Sequence, residues 1–231
     1  MYRSSYLRDL VLQDQAVTLY HYHSITHRQR KTPVLIVFAT INRPDILDLQ
    51  QQTSFIGDLL RQGMDVYLLD WGGSSEHPFS LRLNNQIALL SKCVQFILNS
   101  LRIKKINLLG VCQGGVISLC YAALHEAIKN LILISTPVDF HANDFLLARL
   151  AEKITLKEVK KIPGAWLAQF FVMLNPFSFQ RKYLHFYDHQ ADAAWMDKFW
   201  RIEKWRTDMP DQSAATLKQF MQDFFQKNKL N

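Results

Sequence analysis

The chain has 231 residues, 48% hydrophobic and 20% charged, which is the composition of a folded domain and excludes a disordered segment. No apolar run reaches the length that crosses a bilayer, and the start of the chain shows no secretory signal, so we expect one soluble, cytoplasmic domain. The net charge of +7 is consistent with an anionic partner and equally with a solvated surface that has excess lysine, because the basic residues are scattered and no motif for binding nucleic acid accompanies them.

Short apolar runs alternate with longer amphipathic stretches, a pattern that predicts strand–helix–strand units and a mostly parallel sheet. Residues 17–24 are predicted as an edge strand. Continuous β-prone runs predict central strands, buried on both faces, at 33–40, 65–70, 106–111 and 131–135. Helices are predicted between the strands, at 46–62, 84–101 and 114–127. The predicted fold class is therefore α/β.

The pattern changes after residue 139, where helical windows follow one another without a convincing buried strand. Fifteen aromatic residues fall from Trp166 onward, which indicates an apolar surface on these helices. We therefore predict a core over residues 1–139 and a helical, aromatic-rich cap over residues 140–231 that lies over the edge of the sheet.

The run GVCQG, residues 110–114, joins a predicted strand to a predicted helix and has the pattern of a nucleophile elbow. In such an elbow the nucleophile sits on a strained turn, and Gly110 and Gly114 keep side chains away from it. We predict Cys112 as the nucleophile, with the helix N-terminus favouring its thiolate. The alternative is that Cys112 is a small buried thiol in a tight turn.

Two backbone N–H groups are predicted to form the oxyanion hole, one from Gln113 and one from Ile41 in the loop after the first central strand. The other cysteines, Cys93 and Cys120, fall on apolar helical faces and are predicted to be core residues. Neither a CxxC pair nor a metal-ligand spacing is present, so we expect free thiols and no metal site.

Six segments stand out, in chain order NRPDILDL, DVYLLDWG, GVCQGG, SLCYAALH, TPVDF and RIEKWRTDMPDQ. Together they resemble the polyhydroxyalkanoate synthases, specifically the catalytic subunit of the two-subunit class III type. The resemblance implies an α/β-hydrolase-fold acyltransferase that polymerises (R)-3-hydroxyacyl-CoA thioesters, typically 3-hydroxybutyryl-CoA, and releases CoA without a cofactor. It implies Cys112 as the nucleophile, activated by a histidine that an aspartate assists.

In an α/β hydrolase the catalytic acid and histidine follow the nucleophile, on loops after strands that come later than the cap. This chain ends within or just past the predicted cap, so we expect a truncated synthase that lacks the last core strands and both residues. His77 and His141 lie near predicted C-terminal strand ends and are the candidates for a substitute base. Asp70 and Asp139, also at strand ends, are expected to shape loops.

The expected partners are the acyl-CoA substrate, the growing polyester, and a second synthase subunit or a further copy of the chain. No nucleic acid and no transmembrane segment are expected, and the expected location is the cytoplasm, at polymer granules. The alternative function is that of a catalytically impaired module that binds a synthase subunit or a granule through the aromatic cap. A different hydrolase or thioesterase on the same fold is a third reading, which the DWG and EKW…PDQ segments disfavour.

Overall fold

A six-stranded sheet forms the centre of the computed structural model, which describes residues 4–14, 17–72, 82–142, 159–174 and 176–230. The strands are β1 (Arg8–Asp14), β2 (Val17–Tyr22), β3 (Val34–Val37), β4 (Val66–Asp70), β5 (Ile106–Val111) and β6 (Ile128–Ile134). Their order is β1-β2-β4-β3-β5-β6. The last four in this order pair in parallel, and β1 and β2 are antiparallel, so the predicted α/β class with a mostly parallel sheet is confirmed.

Helices cover both faces of the sheet. Successive side chains of β3 point to opposite faces, and the helices bury both sets. On one face, Leu35 and Val37 pack with side chains of α2 (Leu83–Leu101) and α3 (Gln113–Leu124). On the other face, Val34 and Ile36 pack with α1 (Phe55–Arg61). The result is a three-layer core in which β4 and β3 are the two central strands, and β5, beside β3, leads to the candidate site.

Two predictions of strand position are wrong. The strand predicted over 17–24 is not at the edge, because β1 pairs with its outer side. The run predicted over 131–135 as a central strand belongs to β6, which is the other edge strand among the described residues and leaves Ile132 43% exposed. The missed strand β1 carries mostly half-buried or exposed residues, so it lacks the continuous apolar run that marks a buried strand.

The helix predicted over 46–62 is shorter than expected. Two 3₁₀ turns, Pro44–Asp48 and Gln51–Thr53, occupy its first part. The helix α1 begins only after Ser54, whose hydroxyl accepts a hydrogen bond from the Gly57 N–H at 2.9 Å and so caps the helix. The helices predicted over 84–101 and 114–127 are confirmed as α2 and α3 within a few residues at each end.

Helices dominate the chain from residue 164 onward: α4 (Gly164–Leu174), α5 (Pro176–Asp188), α6 (Ala193–Thr207), α7 (Ala214–Phe220) and a π-helical turn, Met221–Gln226. A short antiparallel ladder joins β7 (Lys161–Ile162) to β8 (Gln212–Ser213). None of the helices in the described ranges combines the length and the apolar character that crossing a membrane requires.

Candidate active site at the strand–helix turn of Cys112

Cys112 stands between β5 and α3 with backbone angles φ 54° and ψ −123°, in a region that side-chain-bearing residues rarely adopt. Such a conformation costs on the order of 1–3 kcal/mol and persists only where the surroundings impose it. Here the Cys112 N–H donates to the Ile134 carbonyl of β6 at 2.9 Å, and its carbonyl accepts from Gly115 N–H at 2.9 Å. Both neighbouring elements therefore hold the turn, as a nucleophile elbow requires.

The two glycines of the elbow are required by close backbone approach. A Cβ on Gly114 would collide with the carbonyl oxygens of Val37 and Phe38, because the first turn of α3 lies directly against the end of β3. A Cβ on Gly110 would collide with Gly115 and would approach Ser118 Oγ to 2.8 Å. The spacing of glycines in the sequence thus reflects how tightly α3 is packed on β3 and β5.

The sulfur of Cys112 is half-buried, and this burial raises the pKa of the thiol above its ordinary value. The backbone N–H of Gln113 donates a hydrogen bond to the sulfur and lowers the same pKa, but by less. The sequence led us to expect that the N-terminus of the helix would favour the thiolate. The Gln113 N–H acts in that direction, yet desolvation outweighs it, so the protonated thiol predominates at neutral pH.

The loop after β3 lies beside the elbow. The Gln113 side-chain oxygen Oε1 accepts hydrogen bonds from the Thr40 hydroxyl at 2.7 Å and from the Thr40 N–H at 3.2 Å. Trp71 Nε1, after β4, donates to the Phe38 carbonyl at 2.9 Å. Ile41, the predicted second oxyanion donor, follows Thr40 directly, and its backbone N–H remains a prediction.

Residues at the end of α6 and just after it contact this same loop. Trp205 Nε1 donates to the Arg43 carbonyl at 2.7 Å, and Arg43 pairs with the Asp208 carboxylate at 3.0 Å. Gln212 Nε2 donates to the Thr40 carbonyl at 2.9 Å. We did not predict roles for Trp205, Asp208 and Gln212 from the sequence, although they lie in the segment RIEKWRTDMPDQ that contributed to the resemblance.

Only one of the two candidate bases, His141, lies within the described residues. His77 lies outside the described residues. His141 is exposed, and its Nε2 donates to the Phe225 carbonyl at 2.8 Å; neither this bond nor the bond of its N–H to Asp139 at 2.9 Å joins it to Cys112. The structure therefore does not bring His141 and Cys112 together through a hydrogen bond.

The remaining residues singled out in the sequence have contacts that give them a structural role. Asp70 accepts from the Gly72 N–H at 3.0 Å and Asp139 from the Asn228 side chain at 2.8 Å, so both shape loops as predicted. Cys93 is fully buried, which raises its pKa to about 12, and the half-buried Cys120 packs beside the Phe140 cluster. Within the described ranges, no three histidine, cysteine or carboxylate side chains gather into a metal site.

The chain belongs to the α/β-hydrolase fold family, whose model matches residues 32–230. Among its relatives are proteins named poly(3-hydroxyalkanoate) polymerase subunit PhaC, so the resemblance to polyhydroxyalkanoate synthases is confirmed. The protein of Synechocystis sp. is 40% identical over 96% of this chain, and those of Thiocystis violacea and Allochromatium vinosum are 38% and 37% identical over the same share. The chain spans 62%, 64% and 65% of the lengths of these three relatives.

The strain at position 112 predicts an unusual order of stabilities. Glycine adopts φ 54° without strain, whereas alanine does not. We therefore expect the free energy of unfolding of Cys112→Gly, measured by urea denaturation, to exceed that of Cys112→Ala by about 1 kcal/mol. The matched change at an exposed position within α2, Ala88→Gly, is expected to destabilise by about 1 kcal/mol. An alanine variant at 112 that equals or exceeds the glycine variant in stability contradicts a strained turn.

The raised pKa of Cys112 predicts slow alkylation at neutral pH. The thiolate is the reactive form, so the rate of Cys112 modification by iodoacetamide is expected to climb with pH to a midpoint above 9.0, the ordinary thiol value. Mass spectrometry of the labelled peptides measures the rate, and Cys112→Ser gives the background from Cys93 and Cys120. A midpoint below pH 8 would show that the thiolate is favoured after all.

Proposed function

We propose that this chain provides the acylation site of a poly(3-hydroxyalkanoate) synthase. In this proposal, Cys112 accepts the acyl group of an (R)-3-hydroxyacyl-CoA thioester, typically 3-hydroxybutyryl-CoA, and CoA is released. The observation that carries the proposal is the position of Cys112 at positive φ between β5 and α3, with the Gln113 N–H on its sulfur. The names of the similar proteins, poly(3-hydroxyalkanoate) polymerase subunits, support the choice of substrate.

The chemical step follows from the elbow. The Cys112 thiol loses its proton to solvent, and the thiolate attacks the thioester carbonyl carbon, forming a new S–C bond and a negatively charged oxygen. The backbone N–H of Gln113, with that of Ile41, donates to this oxygen as the oxyanion hole. The tetrahedral species then collapses, the bond from carbon to the CoA sulfur breaks, and the CoA thiolate takes a proton from solvent. The exchange converts one thioester into another and is nearly balanced in energy.

The raised pKa of Cys112 gives this step a pH dependence. With the His141 ring bonded to the Phe225 carbonyl, we assign the thiol proton to solvent, so acylation becomes faster as pH rises towards the thiol pKa. His77 is kept as a candidate base from the sequence. Transfer of the acyl group to the hydroxyl of a growing polyester would need a base that acts efficiently at neutral pH.

The further parts of the proposal concern organisation and partners. We propose residues 1–139 as the core and residues 140–231 as a cap over the site. The basic surface suits the phosphates of a CoA ester. The growing polyester, a second synthase subunit or a further copy of the chain are the proposed partners, and the proposed location is the cytoplasm at polymer granules.

A second candidate function, a non-catalytic module that binds a synthase subunit or a granule, is favoured by one observation. Large aromatic side chains are exposed on α4, α5 and α6, where Trp166, Phe177, Tyr187 and Trp200 each have more than half of their surface accessible. Contiguous exposed apolar patches mark protein or membrane interaction sites, and these side chains are candidates for such a patch. This candidate would apply if Cys112 does not take up an acyl group.

Release of CoA from (R)-3-hydroxybutyryl-CoA tests the proposed function. We expect about one equivalent of free CoA per chain, measured by chromatography after quenching, with a rate that increases between pH 7 and pH 9. Cys112→Ala should abolish it, whereas the matched variant Cys120→Ala should retain it because Cys120 packs in the core. Equal release by wild type and Cys112→Ala, or none by wild type, would reject the proposal.

A further inference from the structure

We propose that Gln212 is a positioning residue for the oxyanion hole, acting through Thr40 and Gln113. This inference rests on the proposed function, because it concerns how the same site stabilises the charged oxygen of the acylation step. Gln212 in β8 donates to the Thr40 main-chain carbonyl and accepts a longer bond, 3.4 Å, from the Thr40 hydroxyl, which also donates to the side chain of Gln113, the first residue of α3. These bonds form a continuous chain through the loop after β3. We call it the Gln212–Thr40–Gln113 relay.

Every polar atom of Thr40 forms a hydrogen bond within the relay. The Thr40 N–H and hydroxyl both donate to Gln113 Oε1, at 3.2 and 2.7 Å, and its carbonyl accepts from Gln212 Nε2 at 2.9 Å. Both glutamines are buried, so water does not compete strongly for these bonds. Thr40 therefore has its backbone orientation set from both sides.

The bond from Gln212 reaches the predicted oxyanion donor through one peptide plane. The Thr40 carbonyl and the Ile41 N–H belong to the same peptide unit, and the peptide bonds of the described residues are trans. In a planar trans peptide these two groups point in opposite directions. A hydrogen bond that fixes the Thr40 carbonyl towards Gln212 consequently fixes the Ile41 N–H away from Gln212.

The other end of the relay reaches the other donor. Gln113 contributes its backbone N–H to the Cys112 sulfur and its side chain to Thr40. The residue that carries one oxyanion donor is thus bonded to the residue that precedes the other. This connection fixes the spacing of the two N–H groups, on which stabilisation of an oxyanion depends.

Gln212 is itself held rigidly enough to act as an anchor. Its Nε2 also lies 3.1 Å from both the Pro210 and the Asp211 carbonyl oxygens, which share the second amide hydrogen. Its backbone pairs with Ile162 across the β7–β8 ladder. The preceding residue, Asp211, forms an ion pair with Lys161 and accepts from the Gly164 N–H at 3.0 Å, and Lys161 holds the pKa of that carboxyl below its usual range.

The variant that tests the relay is Gln212→Met, which keeps the length of the side chain and removes its donors. We expect acylation by (R)-3-hydroxybutyryl-CoA at saturation to slow by about 10- to 100-fold, with little change in the concentration that gives half the maximal rate. Alkylation of Cys112 by iodoacetamide, which develops no oxyanion, should keep its rate. The double variant Gln212→Met with Thr40→Val should be little slower than the slower single variant, because both changes interrupt one chain of bonds.

The matched control is Gln219→Met. Gln219 is another cap glutamine, and its Oε1 accepts from the Leu83 N–H at 3.0 Å, at the start of α2 and outside the relay. We expect this variant to acylate like the wild type. If Gln212→Met acylates as fast as wild type, or loses alkylation and acylation to the same extent, the positioning role is rejected.

A second readout keeps this test separate from the test of the proposed function. The exchange rate of the Thr40 amide with solvent, measured by nuclear magnetic resonance, reports the bond to Gln113 whether or not the chain acylates. We expect Gln212→Met to speed this exchange by about tenfold and Gln219→Met to leave it unchanged. A wild-type chain that releases no CoA rejects the proposed function; unchanged Thr40 exchange in Gln212→Met rejects the relay.

Discussion

The close approach of α3 to the end of β3 is the constraint on which the candidate site depends. The first turn of the helix sits directly on the strand end. The carbonyls of Val37 and Phe38 therefore leave no room for a side chain at position 114. The chain must turn from β5 into α3 within one residue, and Cys112 takes the positive φ that this turn demands. The position of the half-buried Cys112 thiol at the turn, beside the N–H of Gln113, is a consequence of that packing.

Residues at the end of α6 and just after it extend this constraint to the loop after β3. Trp205, Asp208 and Gln212 each bond to the segment from Thr40 to Arg43, whose backbone would otherwise leave the sheet without a fixed direction. The strand-side segment NRPDILDL and the cap segment RIEKWRTDMPDQ are therefore two halves of one contact. The bonds of Trp205 and Asp208 to Arg43 join the two segments directly.

Features that depend on local spacing were predictable from the sequence. The glycines two residues either side of Cys112 indicated the elbow, and the buried runs of β3, β4 and β5 indicated a parallel sheet. Features that depend on distant partners were not. β1 has no continuous apolar run, β6 looked like a central strand because its neighbours cannot be read from composition, and Gln212 meets Thr40 across 172 residues of chain.

The pKa of the Cys112 thiol could not be predicted from the local sequence, because it depends on how deeply the sulfur is buried. A helix N-terminus next to a cysteine favours the thiolate, and the Gln113 N–H does so here, but the amount of protein around the sulfur decides the balance. Desolvation therefore places Cys112 on the protonated side at neutral pH. The turn at Cys112 supplies the geometry for attack, and in the proposed step the thiol proton goes to solvent.

The location of the acyl group tests the central claim, that the packing of α3 on β3 makes Cys112 the nucleophile. The protein would be incubated with (R)-3-hydroxybutyryl-CoA at pH 8.5, quenched in acid, digested and examined by tandem mass spectrometry. We predict a hydroxybutyryl group on the peptide that contains Cys112, and none on the peptide that contains Cys93, whose burial raises its pKa to about 12. An unmodified Cys112 in a folded chain, or acylation shared equally with Cys93 or Cys120, would contradict the account.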